Sequence, residues 1–73
     1  MNAKENFEDR EDLKKWLRRG DLQRIAAACE VDRDTVYRWF AGAENPAIEL
    51  VVTKTVELRK QQAMDAAEKI VSQ

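Results

Sequence analysis

The stretch DLQRIAAACEVDRDTVYRWFAG, residues Asp21 to Gly42, decides the fold. Leu22, Ile25, Ala26 and Cys29 recur at helical spacing, which predicts a helix over 22–29 with these side chains turned to a core and Gln23 and Arg24 turned away. Val36, Trp39 and Phe40 fall at i, i+3, i+4 and predict a second helix over 33–41. Arg33, Asp34, Tyr37 and Arg38 are left outward. The corner between the two helices is Glu30-Val31-Asp32, without proline. Val31 is its apolar residue and pins it to the core. Asp32 is placed to cap the second helix, its carboxylate accepting from the amide of Asp34 or Thr35, and Gly42 is placed to terminate it. The small Ala26 lets the second helix cross closely. Cys29, on the buried face, reads as a small hydrophobe, because a redox role needs an exposed, low-pKa thiolate.

Outward from this unit, Leu13, Trp16 and Leu17 share one face and predict a helix over 8–19. Glu8, Asp9, Glu11 and Asp12 lie in its first turns and Lys14, Lys15, Arg18 and Arg19 in its last, the order that complements a helix dipole. Gly20 is expected as the left-handed residue ending that helix, and Asp21 as the cap of the next. Residues 1–7 show no period and are expected to fray, with Phe7 their apolar anchor. On the other side, Asn45-Pro46 is a strong helix start, and neither Gly nor Pro follows it. Ile48, Val51, Val52, Thr55 and Leu58 form a stripe expected to close the core, giving a helix over 46–59 that continues or frays to 71. Beyond Arg59 the stripe thins to Ala63, Ala66, Ala67 and Ile70, too sparse for a sustained heptad seam. This tail either frays or provides a dimer contact through Met64, Ala67, Ile70 and Val71. The expected architecture is all-α: one domain over 1–73, a compact four- to five-helix bundle with a long C-terminal helix.

At 73 residues, a chain of this kind has little room to wall off a catalytic cavity, so no enzyme is expected. There is no His and a single Cys, which removes imidazole ligands and bases, multi-cysteine metal sites and an intramolecular disulfide. No metal, cofactor or small-molecule ligand is expected. No apolar run approaches the roughly 18 residues of a membrane span, so the expectation is a cytoplasmic chain without a membrane partner. The net charge is −1 and the pI about 5.4. Residues 1–12 carry −3, residues 13–60 carry +3 and residues 61–73 carry −1, so a mildly basic body sits between acidic ends. Ordinary solvated helix faces would show the same distribution, yet phosphate contacts need only a local basic face.

Ile25-Ala26 in the first helix, Val31 at the corner, Val36 within the second helix, Trp39-Phe40 at its end and Gly42 beyond it make Asp21–Gly42 resemble the helix-turn-helix of the λ-repressor and Cro superfamily. The string DRDTVYRWFAG is similar to those of small prophage and mobile-element regulators. The resemblance covers Asp21–Gly42 directly and implies that the second helix enters the DNA major groove. It implies that Arg33, Asp34, Tyr37 and Arg38 face base edges. Arg forks onto guanine O6 and N7, Asp accepts from cytosine N4, and Tyr touches a thymine methyl or a phosphate. Arg18, Arg19, Gln23, Arg24 and Thr35 become the phosphate contacts, which position the helix without reading sequence. For Arg33 and Arg38 the competing assignment is intrahelical pairing with acids, and for Thr35 it is support of the cap.

Two positions depart from the family pattern. Glu30 stands where a left-handed Gly is common, at a cost on the order of 1 kcal/mol, which predicts a looser or displaced turn. Leu22 stands where Gln often begins the first helix, with Gln23 one residue later, which predicts a lost or rerouted phosphate contact. The implied function is transcriptional regulation by sequence-specific binding to double-stranded DNA, with a homodimer favoured because such domains bind paired half-sites. A small-terminase-like or recombination accessory module and a protein-interaction domain on the same scaffold remain the alternatives.

Overall fold

Four helices build the described residues, and the spacing of their apolar residues explains how they meet. The computed structural model describes residues 10–72. The elements are α1 (Arg10–Lys14), α2 (Asp21–Cys29), α3 (Arg33–Phe40) and α4 (Pro46–Val71). All are helical, and α4 alone has 26 residues, about 39 Å at the helical rise. The expectations for residues 1–9 lie outside the described residues.

The core is one cluster of Ile25 and Ala26 from α2, Val36, Trp39 and Phe40 from α3, and Ile48, Val52 and Val56 from α4. Leu13, Leu17, Leu22, Cys29, Val31 and Val51 pack around it, half-buried. Trp39 and Phe40 meet edge to face, their centroids 5.1 Å apart, the arrangement that ring quadrupoles favour. On α4 the buried stripe follows 48, 52 and 56 rather than the expected run through Leu58. Leu58 is 54% exposed because, two residues on, it lies about 200° around the helix from Val56. Thr55 is half-buried, and its hydroxyl donates to the Val51 carbonyl at 2.8 Å.

The first helix is shorter than its pattern predicts. It ends at Lys14, and the amides of Lys15, Trp16 and Leu17 donate to the carbonyls of Asp12, Leu13 and Lys14 at 3.1–3.2 Å. These are the tighter i→i−3 turns. The 3.6-residue period therefore stops before Trp16, which leaves the Leu13–Leu17 face and stands 38% exposed, with the Lys60 ammonium 5.4 Å from its ring centroid.

Gly20 keeps the expected left-handed conformation but not the expected place at the end of the first helix, and Asp21 does not cap. Gly20, at φ 90°, is the N-cap of α2 and offers no side chain. Asp21 is the first residue of α2, and its carboxylate is buried among cations rather than capping. Arg59 of α4 donates through Nη2 to Oδ1 at 2.6 Å and through Nε to Oδ2 at 3.0 Å. The Arg18 amide adds a bond to Oδ2 at 2.7 Å. This fork ties the start of α2 to the middle of α4. The Arg59 hydrogen bonds hold the Asp21 carboxyl below its ordinary value, against the opposing effect of burial, and Asp21 in turn raises Arg59. Arg59 continues the buried line of α4 at 48, 52, 56, 59, and a cation on that line needs a buried acid to meet it.

Both ends of α3 are defined by hydrogen bonds. At the corner, the Val31 amide donates to Ala26 O at 3.0 Å and the Glu30 amide to Ala27 O at 3.2 Å, the Schellman pattern. Glu30 adopts φ 57°, ψ 43°. The expected looser turn does not form, because this closure fixes the left-handed residue even though it is not Gly. After α3 the motif repeats, with Ala43 N to Arg38 O at 2.9 Å and Gly42 N to Trp39 O at 3.0 Å. Asn45 caps α4 by accepting from the Ile48 amide at 3.2 Å, with Pro46 at the first helical position. Among the described residues no helix is long and apolar enough to cross a membrane.

Candidate nucleic-acid interface

The capped start of α3 is the foundation of the candidate surface. Asp32, in an extended conformation, accepts from the Thr35 amide at 2.9 Å and from its hydroxyl at 2.6 Å. The Thr35 hydroxyl is the main cause, and its amide the next, that lowers the Asp32 pKa, with the Arg38 charge assisting. Thr35 thus donates its hydroxyl proton to the cap. The cap occupies the hydroxyl for which the family resemblance implies a phosphate contact.

With Val36, Trp39 and Phe40 buried, Arg33, Asp34, Tyr37 and Arg38 are exposed together. Their i, i+1, i+4, i+5 spacing makes one continuous patch over two turns. Neither Arg33 nor Arg38 enters an ion pair among the described residues, so both guanidiniums are available to an anion or a base edge. Asp34 supplies an acceptor between them. Tyr37 is 44% exposed.

The flanking residues divide into three groups. Gln23 is exposed and lines a shallow depression with Val31, Asp32 and Arg33 across the α2–α3 corner. The offset of Gln23 relative to the family position therefore still brings its amide beside the start of α3. Arg24 is exposed but leans on Asp21, Nη1 to Oδ1 at 3.7 Å. Arg18 and Arg19 are exposed in the α1–α2 connection, at the end of α2 far from the corner. Among the described residues no ion pair joins them to the α3 patch.

Two residues at this surface escaped the sequence pattern. Arg10 donates to the carbonyls of Trp39 and, at 2.9 Å, Ala43, and its guanidinium lies 4.3 Å from the Trp39 ring centroid. Lys14 places its ammonium 5.6 Å from the centroid of Tyr37 and 5.8 Å from that of Phe40. No periodicity in α1 signals either contact, because both arise from the packing of α1 against α3. Among the described residues no cluster of potential metal ligands occurs. Comparison with protein families, curated proteins and solved structures finds no match to the chain.

Proposed function

We propose that this chain is a sequence-specific double-stranded DNA-binding protein, a small transcriptional regulator that lays α3 in the major groove. The observation that carries this is the α3 patch: two arginines outside any ion pair among the described residues, an acid and a tyrosine side by side on a capped helix. A helix with side chains is about 10–12 Å across and the groove about 12 Å wide, so a short helix exposed along one face fits it. Arg33 and Arg38 read guanine, Asp34 reads cytosine, and Tyr37 meets a thymine methyl or a phosphate. Gln23, Arg24, Arg18 and Arg19 contact the backbone. The protein acts without catalysis or cofactor, in the cytoplasm.

The working unit is a homodimer. From Gln61 to Val71 every residue of α4 is exposed, including Met64, Ile70 and Val71, and a second copy covering this face sets two α3 helices on half-sites about one DNA turn apart. Titration of a random-sequence duplex at low and moderate salt tests the DNA claim. Binding that weakens steeply with salt and is lost in the Arg33→Ala, Arg38→Ala double variant is expected. Absence of binding at low salt, or binding indifferent to the double variant, returns the chain to the protein-interaction class that its net negative charge favours.

A further inference from the structure

We propose that Lys14 is a phosphate clamp at the second turn of α3, an inference that rests on α3 lying in the major groove. Lys14 is exposed, and its ammonium is held over the rings of Tyr37 and Phe40 at 5.6 and 5.8 Å. The helix that carries it is fastened to α3 by Arg10, which bonds the Trp39 and Ala43 carbonyls and stacks on the Trp39 ring. Lys14 therefore keeps its place beside Tyr37, an outward residue of α3.

The placement fixes what Lys14 meets. A single helix fills the width of the major groove, so an element packed on the side of α3 does not enter with it and rests on the wall of the groove. That wall is phosphodiester backbone. The nearby acid Asp12 is engaged by Lys15 at 3.1 Å, and Lys14 has no ion pair among the described residues. Gln23 stands at the start of α3 and Lys14 at its second half, so the two contacts bracket the helix and set its depth and tilt.

The test compares wild type with Lys14→Met, which keeps most of the stem on the aromatic rings and removes the charge, and with Lys14→Arg. Lys54→Met is the control, since Lys54 is exposed on α4 and directed away from the Val52–Val56 stripe. The binding constant of one duplex is measured between about 50 and 200 mM salt, and again for a duplex of unrelated sequence. For Lys14→Met, the plot of log K against log salt should become shallower by about 0.9. The loss should be equal on both duplexes, and Lys14→Arg and Lys54→Met should keep the wild-type slope. An unchanged slope in Lys14→Met, a loss confined to one sequence, or the same change in Lys54→Met overturns the clamp while leaving the groove assignment standing. If wild type itself binds no duplex, the groove assignment fails and the clamp fails with it. Lys14→Gln repeats the measurement should Lys14→Met melt below the assay temperature.

Discussion

The two halves of α4 are one continuous helix with opposite surroundings. From Ile48 to Arg59 the helix buries Ile48, Val52 and Val56 and closes the Asp21–Arg59 fork, while from Gln61 to Val71 the same helix is bare on all sides. The apolar line runs on through Ala63, Ala66 and Ile70, though thinned to smaller side chains, so composition is only part of the difference. What changes is the presence of α2 and α3 to pack against. The first half takes its stability from tertiary contacts. The second has its helical hydrogen bonds and exposed side-chain bonds such as Gln61 Nε2 to Asp65 Oδ1 at 3.0 Å, and without tertiary packing such a helical end contributes little stability in water.

The largest test of that contrast sets Ile48 against Ile70. Ile48→Ala should cost on the order of 3 kcal/mol in urea unfolding, because the side chain is fully buried. Ile70→Ala, at a site 75% exposed, should change monomer stability by less than about 0.5 kcal/mol. Equal effects would show that the second half is packed in solution. Arg59 marks the junction between the halves. Arg59→Met leaves the buried Asp21 carboxylate without its fork and should lower Tm by roughly 10 °C. Asp21→Ala should cost less, since the freed guanidinium can turn to water, and the double variant should recover part of the Arg59→Met loss.

The same fork gives a pH test with a definite sign. The Asp21 pKa is depressed in the folded state, so its contribution is present above the ordinary carboxyl value of 3.8 and is lost as pH falls below it. The N-cap Asp32 acts in the same direction. Acid unfolding of wild type should steepen below about pH 4, and Asp21→Asn should flatten part of that fall. An identical acid limb in Asp21→Asn would place the linkage elsewhere.

The smallest effects concern the two corners around α3, which share one hydrogen-bond pattern but not one residue. Glu30→Gly should stabilise by about 1 kcal/mol or less, by relieving a left-handed Glu. Gly42→Ala should destabilise, because φ 122° lies outside the left-handed well of L residues. An added Cβ meets nothing within 4 Å there, so the penalty is backbone conformation alone. Thermal melts of the two variants should move in opposite directions.

What could be read from the sequence follows the range of the forces involved. The helices of Asp21–Gly42, the Asp32 and Asn45 caps and the inward set Val36, Trp39 and Phe40 depend on local spacing, and local spacing is visible in a string of residues. Trp16 leaves the face its spacing predicts because the helical period breaks after Lys14, and the i→i−3 turns that break it have no residue signature. Asp21 reads as a cap in the sequence because an acid before an apolar run usually is one. Its true partner, Arg59, lies 38 positions away. The spacing admits Leu58 as readily as Val56, because a stripe drawn without its packing partners can be phased in more than one way. At the candidate site, the outward residues of α3 follow from those turned inward, whereas Arg10 and Lys14 reach it only through the packing of α1.

In vitro selection from a random duplex pool tests the central claim most directly, and it addresses both exposed surfaces at once. Wild type should enrich a palindrome with G·C pairs in half-sites about one DNA turn apart. Arg33→Ala with Arg38→Ala should erase the consensus, and Met64→Asp with Ile70→Asp should reduce it to single half-sites. A wild-type pool that stays flat through successive rounds, or a consensus that survives loss of both arginines, would contradict the assignment of α3 as the reading helix.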